Sequence, residues 1–160
     1  MNSTGSSIGK LLFNNNVRSE GSHKCNSFCV VCTKGLRGDS EQAVSPINGR
    51  TYRLNQNLSC VDGGIYAISC ACTALYTGKT TTAFNKRFNE HFSKSSNSAV
   101  FDHSKHCQVG KKRENFSIQF LESVHSRGKY SLSEREHLWN SRLRGIVNIQ
   151  KNFAFLMILP

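Results

Sequence analysis

Acidic side chains are scarce in this 160-residue chain: 10 Asp and Glu stand against 21 Lys and Arg, a formal charge of +11. Such an imbalance says nothing about fold, but it favours a polyanionic partner, of which nucleic acid is the commonest. The excess is not a basic tail, because residues 1–60 hold 7 basic and 3 acidic side chains and residues 61–160 hold 14 and 7. Long hydrophobic runs are missing too. The apolar ending, Phe153 to Pro160, is eight residues long, whereas a membrane helix needs roughly 20. It reads as a buried last strand or the irregular end of a fragment, and no membrane partner is expected. The opening MNSTGSSIGKLLFNNNVRSE has no apolar stretch long enough for a secretory signal. No repeat or heptad pattern is visible.

What the chain does have is cysteine, seven in all. An odd count without a signal points to a reducing compartment, where clustered cysteines are read as metal ligands before disulfides. Three Asn-x-Ser/Thr triplets, at Asn2, Asn57 and Asn115, would suit a secreted cysteine-rich protein, but the missing signal and the odd thiol argue against it.

Four segments follow from composition. Residues 1–23, rich in Ser, Asn and Gly, are expected to be disordered. Residues 24–60 form a Cys-rich segment and linker, with a strand-like stretch at Thr51 to Leu54. Residues 61–150 carry the regular patterning, and residues 151–160 are the apolar tail. Within the third segment, Gly64 to Cys70 and Leu75 to Gly78 read as a hairpin of short strands. A helix capped by Thr80, Thr81 or Thr82 is expected to run to about Lys94, with Phe84, Phe88 and Phe92 as its buried stripe. Asn115 to Glu122 alternates as a third strand. Ser131 to Arg144 is a second helix that buries Leu132, Leu138 or Trp139, and Leu143, and stops at Gly145. The expected fold is α+β: a small three-stranded sheet flanked by helices, preceded by the Cys-rich segment.

Cys25, Cys29 and Cys32 are spaced as zinc ligands, with His23 or Cys60 as a fourth; a zinc knuckle and unliganded thiols are both open readings. Cys70 and Cys72 share a strand face and can meet His103, His106 or Cys107 in a second zinc site, or can be ordinary buried cysteines.

Gly64-Ile65-Tyr66, then Tyr76-Thr77-Gly78 one strand later, a helix bearing Arg87 and His91, Glu136 on a later helix and Asn148 beyond it occur in the order of a known domain. Over about residues 61 to 150 the chain resembles the GIY-YIG endonuclease domain. More narrowly, it is similar to the endonuclease module of Penelope-like retroelements. The Cys-rich segment before GIY, the Ile-Ser-Cys-Ala-Cys between the strands, the run Ala99 to His106, and Arg135-Glu136-His137-Leu138-Trp139 carry that likeness. Thr77 departs from the usual Ile or Val, which a strand tolerates. No reverse transcriptase domain is present, so the chain would be a fragment, a freestanding relative or a decayed copy.

The resemblance implies a metal-dependent DNA endonuclease that hydrolyses phosphodiester bonds. Tyr66 would be the general base, its phenol lowered by nearby cations, with Tyr76 positioning water or phosphate. Lys79 would supply part of the lowering field. Arg87 and His91, four residues apart at the edge of the buried face, would clamp a phosphate and shuttle a proton. Glu136 would hold Mg²⁺ or Mn²⁺, unless Ser133 and Glu136 merely form a capping box; Ser131 and Glu134 can do that job instead. Asn148 is an orienting group or a structural loop residue. The alternative function is a catalytically decayed, zinc-stabilised nucleic-acid-binding module. A DNA substrate implies an intracellular location, nuclear in a eukaryote.

Overall fold

Alternation of apolar residues at Tyr66, Ile68 and Cys70 against Ile65 and Ala67 gives the central strand two greasy faces, and the fold is built by covering both. The computed structural model describes residues 20–25, 28–34, 41–95, 97–126 and 128–144. Along these the elements are β1 (Gly21–His23), α1 (Val30–Thr33), β2 (Gln42–Val44), β3 (Thr51–Arg53), β4 (Asn57–Ser59), β5 (Gly64–Cys70) and β6 (Leu75–Thr80). There follow α2 (Phe84–His91), α3 (Ala99–His106), two short 3₁₀ turns, β7 (Phe116–Ser123) and α4 (Leu132–Leu143).

The main sheet is three-stranded and antiparallel in the order β6-β5-β7. On one face Tyr66, Ile68 and Cys70 pack with Phe116, Ile118 and Phe120 under Phe84 and Phe88 of α2. On the other, Ile65 and Ala67 pack with Leu75, Leu121, and Trp139 and Leu143 of α4. The expected α+β architecture is therefore present, and the alternation on β7 falls where its sequence placed it. The two helices cover opposite faces, and β6 lies at the sheet edge beside both.

Two local irregularities aim the central strand. The β5–β7 register shifts between Ile65 and Tyr66, because Leu121 is an extra residue on β7. Gly64 adopts φ +150°, and a Cβ there would lie 1.8 Å from the Glu122 carbonyl oxygen, so only glycine fits.

The start of α2 corrects the sequence reading. Its N-cap is Ala83, which offers no side-chain bond. The Thr80 hydroxyl instead turns to Thr82, accepting from its backbone N–H. The orphan helix donors are satisfied from a distance: Phe84 N–H donates to the Asp62 carbonyl at 2.8 Å and Asn85 N–H to the Cys60 carbonyl at 3.0 Å. The helix also stops at His91 rather than near Lys94. Phe84 and Phe88 are fully buried, and Phe84 stacks on Phe120 with centroids 4.6 Å apart. Phe92 packs half-buried just past the helix end.

For α4, Ser131 and Glu134 form the capping box, which leaves Glu136 free of that duty. Trp139 and Leu143 are buried and Leu138 is exposed, so the apolar face runs through Trp139. Arg144 closes the helix in the left-handed region; Gly145, Asn148 and the tail 151–160 lie outside the described residues. Arg135 is buried and holds the Glu122 carboxylate at 2.8 Å and the carbonyls of Ser123 and Val124, while Trp139 Nε1 donates to the same carboxylate. This network fastens α4 to the end of β7.

Around this body lie pieces the sequence did not announce. Residues 21–23, expected to end a disordered segment, form a strand parallel to β4, and Ser22 exchanges hydrogen bonds with the Phe120 backbone. The loop ahead of β3 contributes β2, which pairs with it as a hairpin. The segment 99–106 is a helix capped by Ser98.

Candidate active site

β5 and β6 pair with Tyr66 directly opposite Gly78, and that pairing makes room for a phenol cluster. A Cβ at Gly78 would come within 2.6 Å of Tyr66 Oη and 2.7 Å of Tyr76 Cε1. The two tyrosine rings share one face, as expected, with centroids 6.4 Å apart. Tyr66 is fully buried. Its hydroxyl lies 2.6 Å from His91 Nε2 and accepts from Arg87 Nε at 3.3 Å. Tyr76 meets His91 edge to face at 5.2 Å. Arg87 and His91 thus stand at the edge of the buried face of α2, with His91 inside it. Arg87 also bonds Glu90 at 3.1 Å.

The electrostatics overturn one expectation. Burial pushes the Tyr66 phenol well above its ordinary range, helped by the neighbouring Tyr76 phenol, and the lowering pull of Arg87 is smaller. Tyr76 is raised as well, by burial and then by the Glu136 charge. Both phenols are therefore protonated near neutral pH. Burial and the Arg87 charge hold His91 down at about 4, so its imidazole is neutral there.

Lys79 does not serve the phenols. Its side chain points to the α4 face of the sheet, where the ammonium lies 3.0 Å from the Glu136 carboxylate and 2.7 Å from Ser133 Oγ. Glu136 is close enough to act on both tyrosines by charge. Tyr66, Tyr76, Arg87, His91, Lys79 and Glu136 are thus brought to one edge of the sheet. Arg87 is shared by two shallow hollows. One is walled by Lys79, Thr80–Thr82 and Leu132, the other by Ser93, Ser95, Asn97 and Ser98, and Glu90 borders both. Glu90 and Ser133 were missed as site neighbours. The spacing of Glu90, three residues after Arg87, was the available signal.

Glu136 offers a lone carboxylate, a hard oxygen donor that already faces a cation in Lys79; such a donor suits Mg²⁺ or Mn²⁺, which keep several waters. The sulfur clusters fit a softer ion. Cys25, Cys29, Cys32 and Cys60 bring their Sγ atoms within 4.8 Å of one another. Cys60 is the fourth member of that group, and His23 is not in it. Cys70, Cys72, His103 and Cys107 form a second such group. This corrects His106, whose Nδ1 is engaged by the Asp102 carbonyl at 2.9 Å. The Gly110 N–H donates to Cys107 Sγ at 3.2 Å and lowers that thiol, while burial first, then the neighbouring thiols, raise Cys60. Four thiols in the first group, and three thiols with the His103 imidazole in the second, are the donor sets of a tetrahedral structural zinc site.

Residues 62–146 match the GIY-YIG catalytic domain family. The chain belongs to the GIY-YIG family of nuclease domains. No curated protein and no solved structure matches it. Among the described residues no helix is long and apolar enough to cross a membrane.

Gly78→Ala tests the phenol packing. The added methyl should displace the tyrosine rings, cost about 1–3 kcal/mol in urea unfolding and change the near-UV dichroism of the tyrosines. Parent-like values in both measurements would contradict the packing.

Proposed function

We propose that this GIY-YIG chain is a metal-dependent DNA endonuclease that cuts the backbone by direct attack of water. The observation that carries the reading is the Tyr66 hydroxyl, held between His91 and Arg87 at the sheet edge that also carries Lys79 and Glu136. A buried, protonated phenol is a poor base on its own. It becomes one if its proton leaves as it takes another, and neutral His91, 2.6 Å away, receives it.

In this scheme Arg87 Nε donates into the phenol oxygen and the phenol donates to His91 Nε2. Water gives its proton to the Tyr66 oxygen while the Tyr66 proton passes to His91. The water oxygen bonds to phosphorus. The bond from phosphorus to the leaving oxygen breaks with its electron pair staying on that oxygen, which takes a proton from solvent. His91 returns its proton to solvent afterwards. Arg87, released from Glu90, offers its guanidinium to the non-bridging oxygens. Tyr76 orients the water or the phosphate. Glu136 would hold Mg²⁺ or Mn²⁺, which supplies Lewis-acid neutralisation of charge on the phosphoryl oxygens. Lys79, loosened from Glu136, is a second cation for the substrate.

Both sulfur clusters are proposed to hold Zn²⁺. Their place before and within the GIY hairpin supports a mobile-element origin of the Penelope-like kind, with a reverse transcriptase domain as the proposed partner. A nuclear location belongs to the same proposal.

Supercoiled plasmid tests the activity. Nicking is expected with Mg²⁺, and should vanish in EDTA and in Glu136→Gln. It should slow only as pH approaches about 4, where His91 gains a proton and stops accepting. The same depressed imidazole contributes stability that is full above about 6.5 and is lost as pH falls towards 4. Nicking that persists in the variant, or an absence of nicking despite DNA binding, would overturn the proposal.

Metal analysis tests the clusters separately. Two zinc ions per chain are expected, falling by one in Cys32→Ser and by one in Cys107→Ser, with no change in His106→Ala. Unchanged zinc in the two cysteine variants would exclude the assigned ligands.

A further inference from the structure

Beside the catalytic edge, α4 leaves one stripe without a partner. Ser133, Glu134, His137 and Leu138 share one face of α4, and with Tyr130, just ahead of the Ser131 cap, they line a mostly apolar hollow. Tyr130 is 48% exposed and Leu138 40% exposed. The usual fate of such a stripe is the core, but the core side of α4 is taken by Trp139 and Leu143. Glu134, the one acid in the hollow, is occupied by the backbone N–H of Ser131.

Two features say what covers it. The hollow is bordered by cations: Lys129 lies 5.4 Å from the centroid of the Tyr130 ring, and Ser133 accepts from Lys79 at 2.7 Å. It is also continuous with the reaction site, because that same Lys79 ammonium contacts Glu136 at 3.0 Å. A flat apolar surface with an aromatic wall, flanked by ammonium groups and joined to a phosphate site, suits a nucleotide. The phosphate meets the cations and the base meets the ring.

We propose that Tyr130, backed by Leu138, is a stacking platform for a nucleobase of the DNA strand being cut, next to the scissile phosphate. The proposal rests on the endonuclease reading and adds to it where the substrate's bases lie. Every base has a π-face, so the platform holds the strand without dictating sequence. Lys129 adds attraction both to the ring and to a neighbouring phosphate. The roles are distinct: Tyr130 binds, and the chemistry stays with the groups around Tyr66.

The test uses the full chain and a DNA strand in which every adenine is replaced by 2-aminopurine, without added divalent ion so that the strand stays whole. Binding should quench the fluorescence. Tyr130→Ala should relieve the quenching and weaken binding about five- to hundredfold, the usual range for one base–aromatic stack. Tyr130→Phe should keep both properties, because the ring is what matters. The melting temperature of Tyr130→Ala should match the parent, since half of the side chain is already in solvent. Parent-like binding and quenching in Tyr130→Ala would overturn the platform and leave the endonuclease reading standing. An equal loss in Tyr130→Phe would overturn it too, by assigning the contact to the hydroxyl. A parent chain that binds no DNA would sink both.

Discussion

One short contact organises this molecule: the Tyr66 hydroxyl 2.6 Å from His91 Nε2, with Arg87 Nε donating to the same oxygen. It ties the central strand of the sheet to α2 through polar, buried groups that satisfy one another at the phenol oxygen and His91 Nε2, leaving His91 Nδ1 buried without a partner. Much of the surrounding geometry follows from accommodating it. Gly78 is bare because the phenols lie over it. The β7 irregularity at Leu121 falls where β5 turns Tyr66 towards α2. Phe84 packs edge to face on the same ring and stacks on Phe120 beneath it. Burial makes the phenol too weak an acid to ionise alone, and it also keeps His91 neutral and ready to accept a proton. The same desolvation thus hinders one partner and prepares the other.

The helix that carries Arg87 and His91 has no side-chain cap at its start, and its ends are also held by the segments that lead to the two sulfur clusters. At its start, the carbonyls of Cys60 and Asp62 receive the first N–H groups. At its end, Ser98 Oγ donates to the His91 carbonyl, and Ser98 is also the cap of α3, the helix that brings His103 and Cys107 to the second cluster. Each bond is worth only about 0.5–1.5 kcal/mol. Their placement matters more than their strength, because they fix the two ends of a helix two turns long whose side chains must meet a strand within tenths of an ångström. On the opposite face, Arg135 and Trp139 clamp Glu122 and set α4 so that Glu136 reaches the same edge. The site is assembled from both sides of the sheet.

How much of this could be read from the residues depended on range. β5 has the bounds its β-prone, glycine-bounded run suggested, and the stripe Phe84–Phe88 fell on the core as periodicity required. Glu136 was freed by a competing capping box, Ser131 with Glu134, that spans four residues, a local matter. Long-range outcomes were not legible. Lys79 chose a carboxylate 57 positions away rather than a phenol on its partner strand, because β6 turns it to the α4 face. The sign of the Tyr66 shift required knowing that burial would exceed the pull of Arg87. Gly21–His23 has no strand propensity and is ordered by pairing with β4 and by Ser22. Cys107 displaced His106 because the last turn of α3 ties the histidine to the Asp102 carbonyl, while the chain turns back at Cys107 towards Cys70 and Cys72.

The most direct test of the account is a nitrogen NMR titration of the His91 side chain. An imidazole that stays neutral down to about pH 4, with an unprotonated Nε2 whose resonance moves when Tyr66 is changed to Phe, is the predicted result. An imidazole that titrates at the ordinary 6.5 and ignores the loss of the phenol would contradict it.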